Sequence, residues 1–188
     1  VLYDEMADRW LAAEFSLCGS PDRMLVAVSQ TNDPTGAWYQ YSFNMSGMPD
    51  YEKFGIWPDG YYMATNTSNG TDIYVFQREI MLTGGTNPKM VSFDNPWRPT
   101  SIDGFMMVPP LDNDGPAAPG LFIAFNDDAI AGGTDQLWIY ELDVDWNTPS
   151  NSTFNRVQQI DVAAFDSNFG NNWNNIKQPN TSQKLDAI

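Results

Sequence analysis

Short segments rich in aromatic and β-branched residues recur along the whole chain, and each is bounded by Asp, Asn, Gly or Pro. Segments with this composition predict β-strands. No stretch of eleven or more residues free of Gly and Pro carries apolar side chains at helical spacing. We therefore predict an all-β chain. The predicted strands cover residues 10–16, 24–30, 38–43, 54–57, 61–65, 73–78, 105–108, 121–125, 137–142 and 157–162.

An internal repeat groups these strands into units of about 50 to 80 residues, each holding about four strands. Such a unit is typical of a β-propeller blade. The growing offset between copies requires insertions, which fall in the predicted loops at 111–119 and 127–134. The matching segments are 54–58 with 105–109 at an offset of 51, 60–66 with 120–126 at an offset of 60, and 73–76 with 137–140 at an offset of 64.

The strands carry apolar side chains on both faces, as in residues 61–64 and 137–140. A sheet with two apolar faces needs neighbours on both sides. We predict a single propeller segment with blades at 1–49, 50–99 and 100–180, and an opening strand of a further blade at 181–188. The alternative is a two-sheet β-sandwich or jelly roll.

Three blades would leave the ring incomplete, because propellers close with about four to eight blades. Further blades of the same chain, or other copies of it, are therefore the expected partners. Both ends of the sequence resemble strands, so we expect a segment of a longer polypeptide.

Charge and composition exclude several functional classes. The 188 residues include 24 Asp and Glu against 9 Lys and Arg, for a formal net charge of -15. That field disfavours nucleic acids and anionic membranes as partners. The chain has no histidine, which removes Ser-His-Asp catalysis and histidine-ligated zinc. No apolar run is long enough for membrane insertion.

The only cysteine, Cys18, is interpreted as a small buried hydrophobic residue, or as a half-cystine whose partner lies elsewhere. Several Asn-x-Ser/Thr sequons mark candidate glycosylation sites. Together with the acidity and the scarcity of lysine, they favour an extracellular or cell-surface location. The sequons begin at Asn44, Asn66, Asn69, Asn151 and Asn180.

Three motifs stand out in the first seventy residues: Val1-Leu2-Tyr3-Asp4, Asp33-Pro34-Thr35-Gly36 with Trp38, and Trp57-Pro58-Asp59-Gly60-Tyr61-Tyr62. With these motifs, this part of the chain resembles β-propeller regions of large secreted or cell-surface bacterial proteins. The resemblance implies a fold and a compartment, with no settled activity. More weakly, residues 31–38 are similar to the Asp-box turn of sialidase propellers, and residues 57–62 to strand ends of arabinanase-like glycoside hydrolases.

Candidate chemistry rests on carboxylates. Glycoside hydrolysis needs two carboxyl groups about 5 to 10 Å apart, and the weak candidates are Asp59 and Asp127, although Asp before Gly is first of all turn chemistry. Calcium is the more plausible metal, because alternating oxygen ligands precede a Gly turn at Asp112 and Asp114, with Asp127 as a further ligand. Otherwise these residues form a solvated surface loop.

Three tryptophans in polar surroundings are candidate sugar platforms or, alternatively, fill seams between blades. They are Trp97, Trp146 and Trp173. The sequence as a whole favours a non-catalytic extracellular propeller module that binds a glycan or a protein. A glycoside hydrolase with paired carboxylates and a structural protein of an extracellular assembly are the alternatives.

Overall fold

The computed structural model describes residues 1–16, 19–67, 70–95, 119–167 and 174–186. The all-β prediction is confirmed, since strands in four antiparallel sheets make up most of the described structure. Two short helices, α1 (Arg78–Leu82) and α2 (Asp128–Ala131), and one 3-10 turn at Pro149–Asn151 lie in connections between strands. The strand predicted at 105–108 lies outside the described residues.

The first two sheets are four-stranded meanders, in which each strand pairs with the next one along the chain. The first sheet ends at residue 44 and the second begins at residue 50. The first sheet contains β1 (Leu2–Asp4), β2 (Arg9–Ser16), β3 (Arg23–Ser29) and β4 (Trp38–Asn44), and the second contains β5 (Asp50–Trp57), β6 (Gly60–Asn66), β7 (Thr71–Phe76) and β8 (Met90–Asp94).

The other two sheets follow in chain order. The third contains β9 (Gly120–Asn126), β10 (Gln136–Asp143) and β11 (Thr153–Asp161), and the fourth contains β12 (Asn174–Lys177) and β13 (Lys184–Asp186). The predicted division at 180/181 falls in the turn between β12 and β13. The fourth sheet begins at Asn174. Strand β12 was not predicted, because its residues are mostly polar and show no hydrophobic pattern.

The second sheet is buried on both faces. Residues 60–65 of β6 are all buried, and they alternate between two separate apolar clusters. One cluster joins the second sheet to the first, and the other joins it to the third. A two-sheet sandwich would enclose one core, whereas these described sheets enclose two. The polar-poor strands are explained by this layering, because neither face of β6 meets water.

The repeat continues through the third sheet with a shift of one residue. Tyr61 faces the first sheet and pairs with Phe76, while Phe122 faces the second sheet and pairs with Tyr140. Equivalent positions in β6 and β9 are thus 61 residues apart, and the offset of 60 taken from sequence is wrong by one. Because side chains alternate between faces, that single residue inverts the whole strand. The offset of 64 between β7 and β10 agrees with the structure.

The pattern erred at two other places in the second sheet. The strand predicted at 73–78 ends at Phe76, because Arg78 is the first residue of α1. The Arg78 side chain lies between the first and second sheets, where it contacts Asp4. Strand β8 was not predicted from the sequence. Its residues, Met90 to Asp94, alternate in polarity but follow a stretch rich in turn residues, and in the structure they pair with β7.

Candidate functional site

A buried ion pair fastens the first sheet to the second. The guanidinium of Arg78 donates from Nε to Asp4 Oδ2 at 2.7 Å and from Nη2 to Oδ1 at 2.8 Å. Tyr61 Oη donates to Asp4 Oδ2 at 3.0 Å, and Arg78 Nη1 donates to the Pro58 carbonyl at 3.1 Å. Asp4 is 0% exposed and Arg78 is 9% exposed. Each of the three guanidinium nitrogens of Arg78 donates within this contact, so the cluster positions the two sheets relative to each other.

A second polar seam fastens the second sheet to the third. Tyr62 Oη donates to both carboxylate oxygens of Asp59, at 3.1 and 3.3 Å, and Trp146 Nε1 donates to the Asp59 carbonyl at 2.7 Å. Lys89 Nζ donates in turn to the Trp146 carbonyl. Trp146 is half-buried and packs against the apolar cluster between these sheets. Its indole N–H is therefore used in the contact between the second and third sheets; sugar binding at Trp146 stays a prediction.

Of the two described catalytic candidates, Asp59 is the one whose carboxyl pKa is raised. Burial raises the pKa of its carboxyl group, the Tyr62 hydrogen bond offsets part of that rise, and the negative charge of Asp143 adds to it. A raised pKa in the folded state means that the folded chain binds this proton more tightly than the unfolded chain does. The contribution to stability is present in acid and is lost as pH rises through the folded pKa.

We expect the melting temperature of Asp59→Asn, measured relative to that of the wild type, to be higher at pH 7 than at pH 3.5. The reason is that asparagine never carries the buried charge and can still accept the hydrogen bond from Tyr62. Thermal unfolding followed by circular dichroism at both pH values measures the difference. Exposed Asp166→Asn is the matched control, and its difference from wild type should stay constant with pH. An Asp59→Asn difference that is equal at both pH values would contradict the assignment.

Asp127 lies in an acidic cluster directly after the C-terminal end of β9. Its Oδ1 accepts from the Ala129 amide at 2.9 Å, and its Oδ2 accepts from the amide and hydroxyl of Ser167, both at 2.7 Å. Although burial opposes ionisation, these hydrogen bonds lower the pKa of Asp127. Carboxylate oxygens of Asp127, Asp128 and Asp135 lie within 4.8 Å of one another.

The calcium prediction can be compared with this cluster. Asp135 accepts from the amides of Asp128 and Phe165, so both buried carboxylates already hold loop 162–167 against the turn before β10. Calcium takes six to eight oxygen ligands, whereas only the Asp128 carboxylate is exposed. Asp127 and Asp135 thus hold the loop at 162–167 in place through hydrogen bonds. Calcium at Asp127 stays a prediction, and Asp112 and Asp114 lie outside the described residues.

The two catalytic candidates do not meet. Gly120, the first residue of β9, lies so close to the Tyr62 ring that a Cβ atom at this position would clash with it. Because Tyr62 is hydrogen-bonded to Asp59, Asp59 lies near this N-terminal end of β9. Asp127 follows the opposite end of β9, and seven extended residues span about 20 Å. Paired carboxylates of a glycosidase lie about 5 to 10 Å apart. Asp59 and Asp127 therefore do not form one catalytic pair.

The Asp-box-like segment forms a hairpin turn between β3 and β4. Asp33 Oδ1 accepts from the amide and hydroxyl of Thr35 at 2.9 and 2.7 Å, and Trp38 Nε1 donates to the Pro34 carbonyl at 3.1 Å. A similar carboxylate turn lies between β10 and β11, where Asp145 caps the backbone after the strand. The side chains of both aspartates are thus used for turn closure.

The remaining predicted residues divide into two groups. Among the sequons, Asn44, Asn151 and Asn180 are exposed and Asn66 is half-buried, so three described sites are accessible. Glycosylation stays a prediction. Trp97, Trp173, Asn69 and Cys18 lie outside the described residues.

Two important polar residues were missed from sequence. Arg78 was interpreted as a strand end and Asp135 was not considered, yet both are buried and multiply hydrogen-bonded. A lone arginine within an apolar segment of an arginine-poor chain was an available signal for a buried partner. For Asp135 no such signal existed, because it lies in an ordinary Gly-Thr-Asp turn.

The fold and these seams define a class of all-β protein in which meander sheets stack in chain order. Within the described part of the chain, neither short helix could cross a membrane. Comparison with protein-family models, curated proteins and solved structures finds no match.

Proposed function

We propose that this chain is part of an extracellular β-propeller that acts as a non-catalytic scaffold for binding or assembly. The observation that carries the proposal is the second sheet, whose two faces are both covered by neighbouring meanders. Radial stacking of four-stranded meanders is the arrangement of propeller blades. The Asp4–Arg78 ion pair and the Trp146–Asp59 hydrogen bond add rigidity between layers.

The outer layers support the same proposal. On the third sheet Ile123 is 45% exposed, and Val157 and Ile160 are exposed as well. Apolar residues on a sheet face favour a further covering layer. Further blades of the same polypeptide or other copies of it are the proposed partners in the ring, with a glycan or protein as the ligand.

The alternative function, glycoside hydrolysis, draws on a single observation. Asp59 has a raised pKa to which the charge of Asp143 contributes, and a carboxyl group with a raised pKa near a second carboxyl group is the arrangement that glycosidases use. Asp143 thus replaces Asp127 as the second carboxylate of this alternative.

One assay separates the two functions. A panel of polysaccharides is incubated with the wild type, Asp59→Asn and Asp143→Asn, and both retention on immobilised glycan and release of reducing ends are measured. We expect no reducing ends above the buffer blank from any of the three proteins. Hydrolysis by the wild type that disappears in Asp59→Asn and Asp143→Asn, with folding intact, would contradict the scaffold and establish the hydrolase.

A further inference from the structure

One residue of the second sheet has a backbone conformation that its own side chain disfavours. Tyr51 in β5 has a φ of 59°, in the left-handed region that residues with a Cβ atom rarely adopt. The other described non-glycine residues with positive φ are Asp8, Asn87 and Asn180, and Asp and Asn are the types that tolerate this region best. A strained aromatic residue is therefore an outlier that points to a role for its side chain.

A β-bulge imposes this conformation on Tyr51. Between Asp50 and Lys53 the register of β5 against β6 shifts by one residue. The residue that takes the left-handed conformation in such a bulge is usually glycine. Thr65 lies opposite the bulge, is buried, and donates from its hydroxyl to the Asp50 carbonyl at 2.7 Å. The sheet thus fixes the bulge, and tyrosine stands where the backbone favours glycine.

Packing does not account for a tyrosine at this position. Tyr51 is 46% exposed and belongs to neither of the two apolar clusters of the described sheets. The Nζ atom of Lys53 lies 3.8 Å from the centroid of its ring. Among the described strands, β5 pairs only with β6 and ends the strand order of its sheet. The ring is therefore held at a sheet edge, where a ligand can reach it.

The groups beside the ring define the ligand. Lys53 offers hydrogen-bond donors and the exposed Asp50 offers acceptors, as the hydroxyl groups of a sugar require. The flat ring suits the apolar C–H face of the same sugar. The Lys53 ammonium repels a cationic ligand, whereas Asp50, Glu52 and the net charge of -15 repel an anionic one. A neutral sugar meets neither repulsion.

We propose that Tyr51 is the stacking residue of a binding site for a neutral glycan, with Lys53 and Asp50 as its hydrogen-bonding groups. The bulge holds the ring in a fixed orientation, which lowers the conformational entropy lost on binding. The inference rests on the proposed scaffold function and names a ligand class and a site for it.

Electrophoresis of the 188-residue protein through native gels that contain a soluble polysaccharide measures binding. The neutral probes are laminarin, xyloglucan and galactomannan, and polygalacturonate is the anionic control. We expect at least one neutral probe to retard the wild type, and Tyr51→Gly to weaken that binding about tenfold or more. Tyr51→Phe keeps the ring and should bind as the wild type does. Tyr3→Ala is the matched control, because Tyr3 is 40% exposed and lies in the first sheet.

Melting temperatures separate loss of the site from loss of the fold. Only glycine relieves the φ of 59°, so Tyr51→Gly should melt about 2–4 °C above Tyr51→Ala. Both variants lack the ring, and both should lose binding. A binding loss in the more stable of the two therefore comes from the missing ring.

Four results would overturn the site. They are no retardation of the wild type by any of the neutral probes, equal retardation of the wild type and Tyr51→Gly, retardation by polygalacturonate as strong as by a neutral probe, and Tyr51→Gly melting below Tyr51→Ala. Each of them leaves the scaffold function standing with a different ligand. The scaffold function fails instead if the wild type releases reducing ends that Asp59→Asn and Asp143→Asn do not release.

Discussion

Replacing Arg78 with methionine should lower the free energy of unfolding by about 3–5 kcal/mol, because the Asp4 carboxylate would remain buried without its counter-charge. Tyr61 and the Ala7 amide would be its remaining hydrogen-bond donors. Urea denaturation monitored by tryptophan fluorescence measures the change. Exposed Arg23→Met is the matched control and should stay within about 0.5 kcal/mol of wild type.

The double variant Asp4→Asn with Arg78→Met separates the loss of the pair from the burial of a lone charge. With no ion left in the seam, we expect at least half of the lost stability to return. A loss below about 1 kcal/mol for Arg78→Met would contradict the view that this pair fastens the first two sheets.

Placing aspartate at either of two adjacent positions in β6 should prevent folding. Met63 faces the first sheet and Ala64 faces the third, and both are 0% exposed. Each variant buries an unpaired carboxylate, which costs several kcal/mol out of a total stability of about 5–15 kcal/mol. Far-ultraviolet circular dichroism and soluble yield measure the outcome for Met63→Asp and Ala64→Asp.

A matched pair in β9 supplies the control. Ala124 is buried against the second sheet, whereas Ile123 lies on the outer face and is 45% exposed. We expect Ala124→Asp to be as damaging as the β6 variants, and Ile123→Asp to cost about 1 kcal/mol, since only strand propensity is lost. Tolerance of either β6 substitution would show that one face of the second sheet is open to water.

Strands with strongly apolar faces were accessible to sequence analysis, because alternation and turn residues are local properties. Residues 10–16, 38–43 and 137–142 agree with β2, β4 and β10 to within one or two residues. The polar β12 and the turn-flanked β8 were missed, since their partners in the sheet, more than their own composition, hold them extended.

The candidate site was far less accessible. Asp59 was singled out from sequence, but its partners Tyr62 and Trp146 converge from β6 and from the end of β10, which are about 80 residues apart in the chain. Asp127 was also singled out, yet two of its three hydrogen bonds come from Ser167, forty residues later. No spacing rule in a single sequence relates such residues.

The amino-acid order alone determined that the chain is all-β, strongly acidic and free of histidine chemistry, and that its strands repeat. These conclusions depend on composition and on a two-residue period, both of which survive without knowledge of any contact. Tertiary structure decided which face of each strand meets which sheet and that Arg78 pairs with Asp4. A one-residue shift in register or a distant carboxylate changes all of these without changing the local pattern.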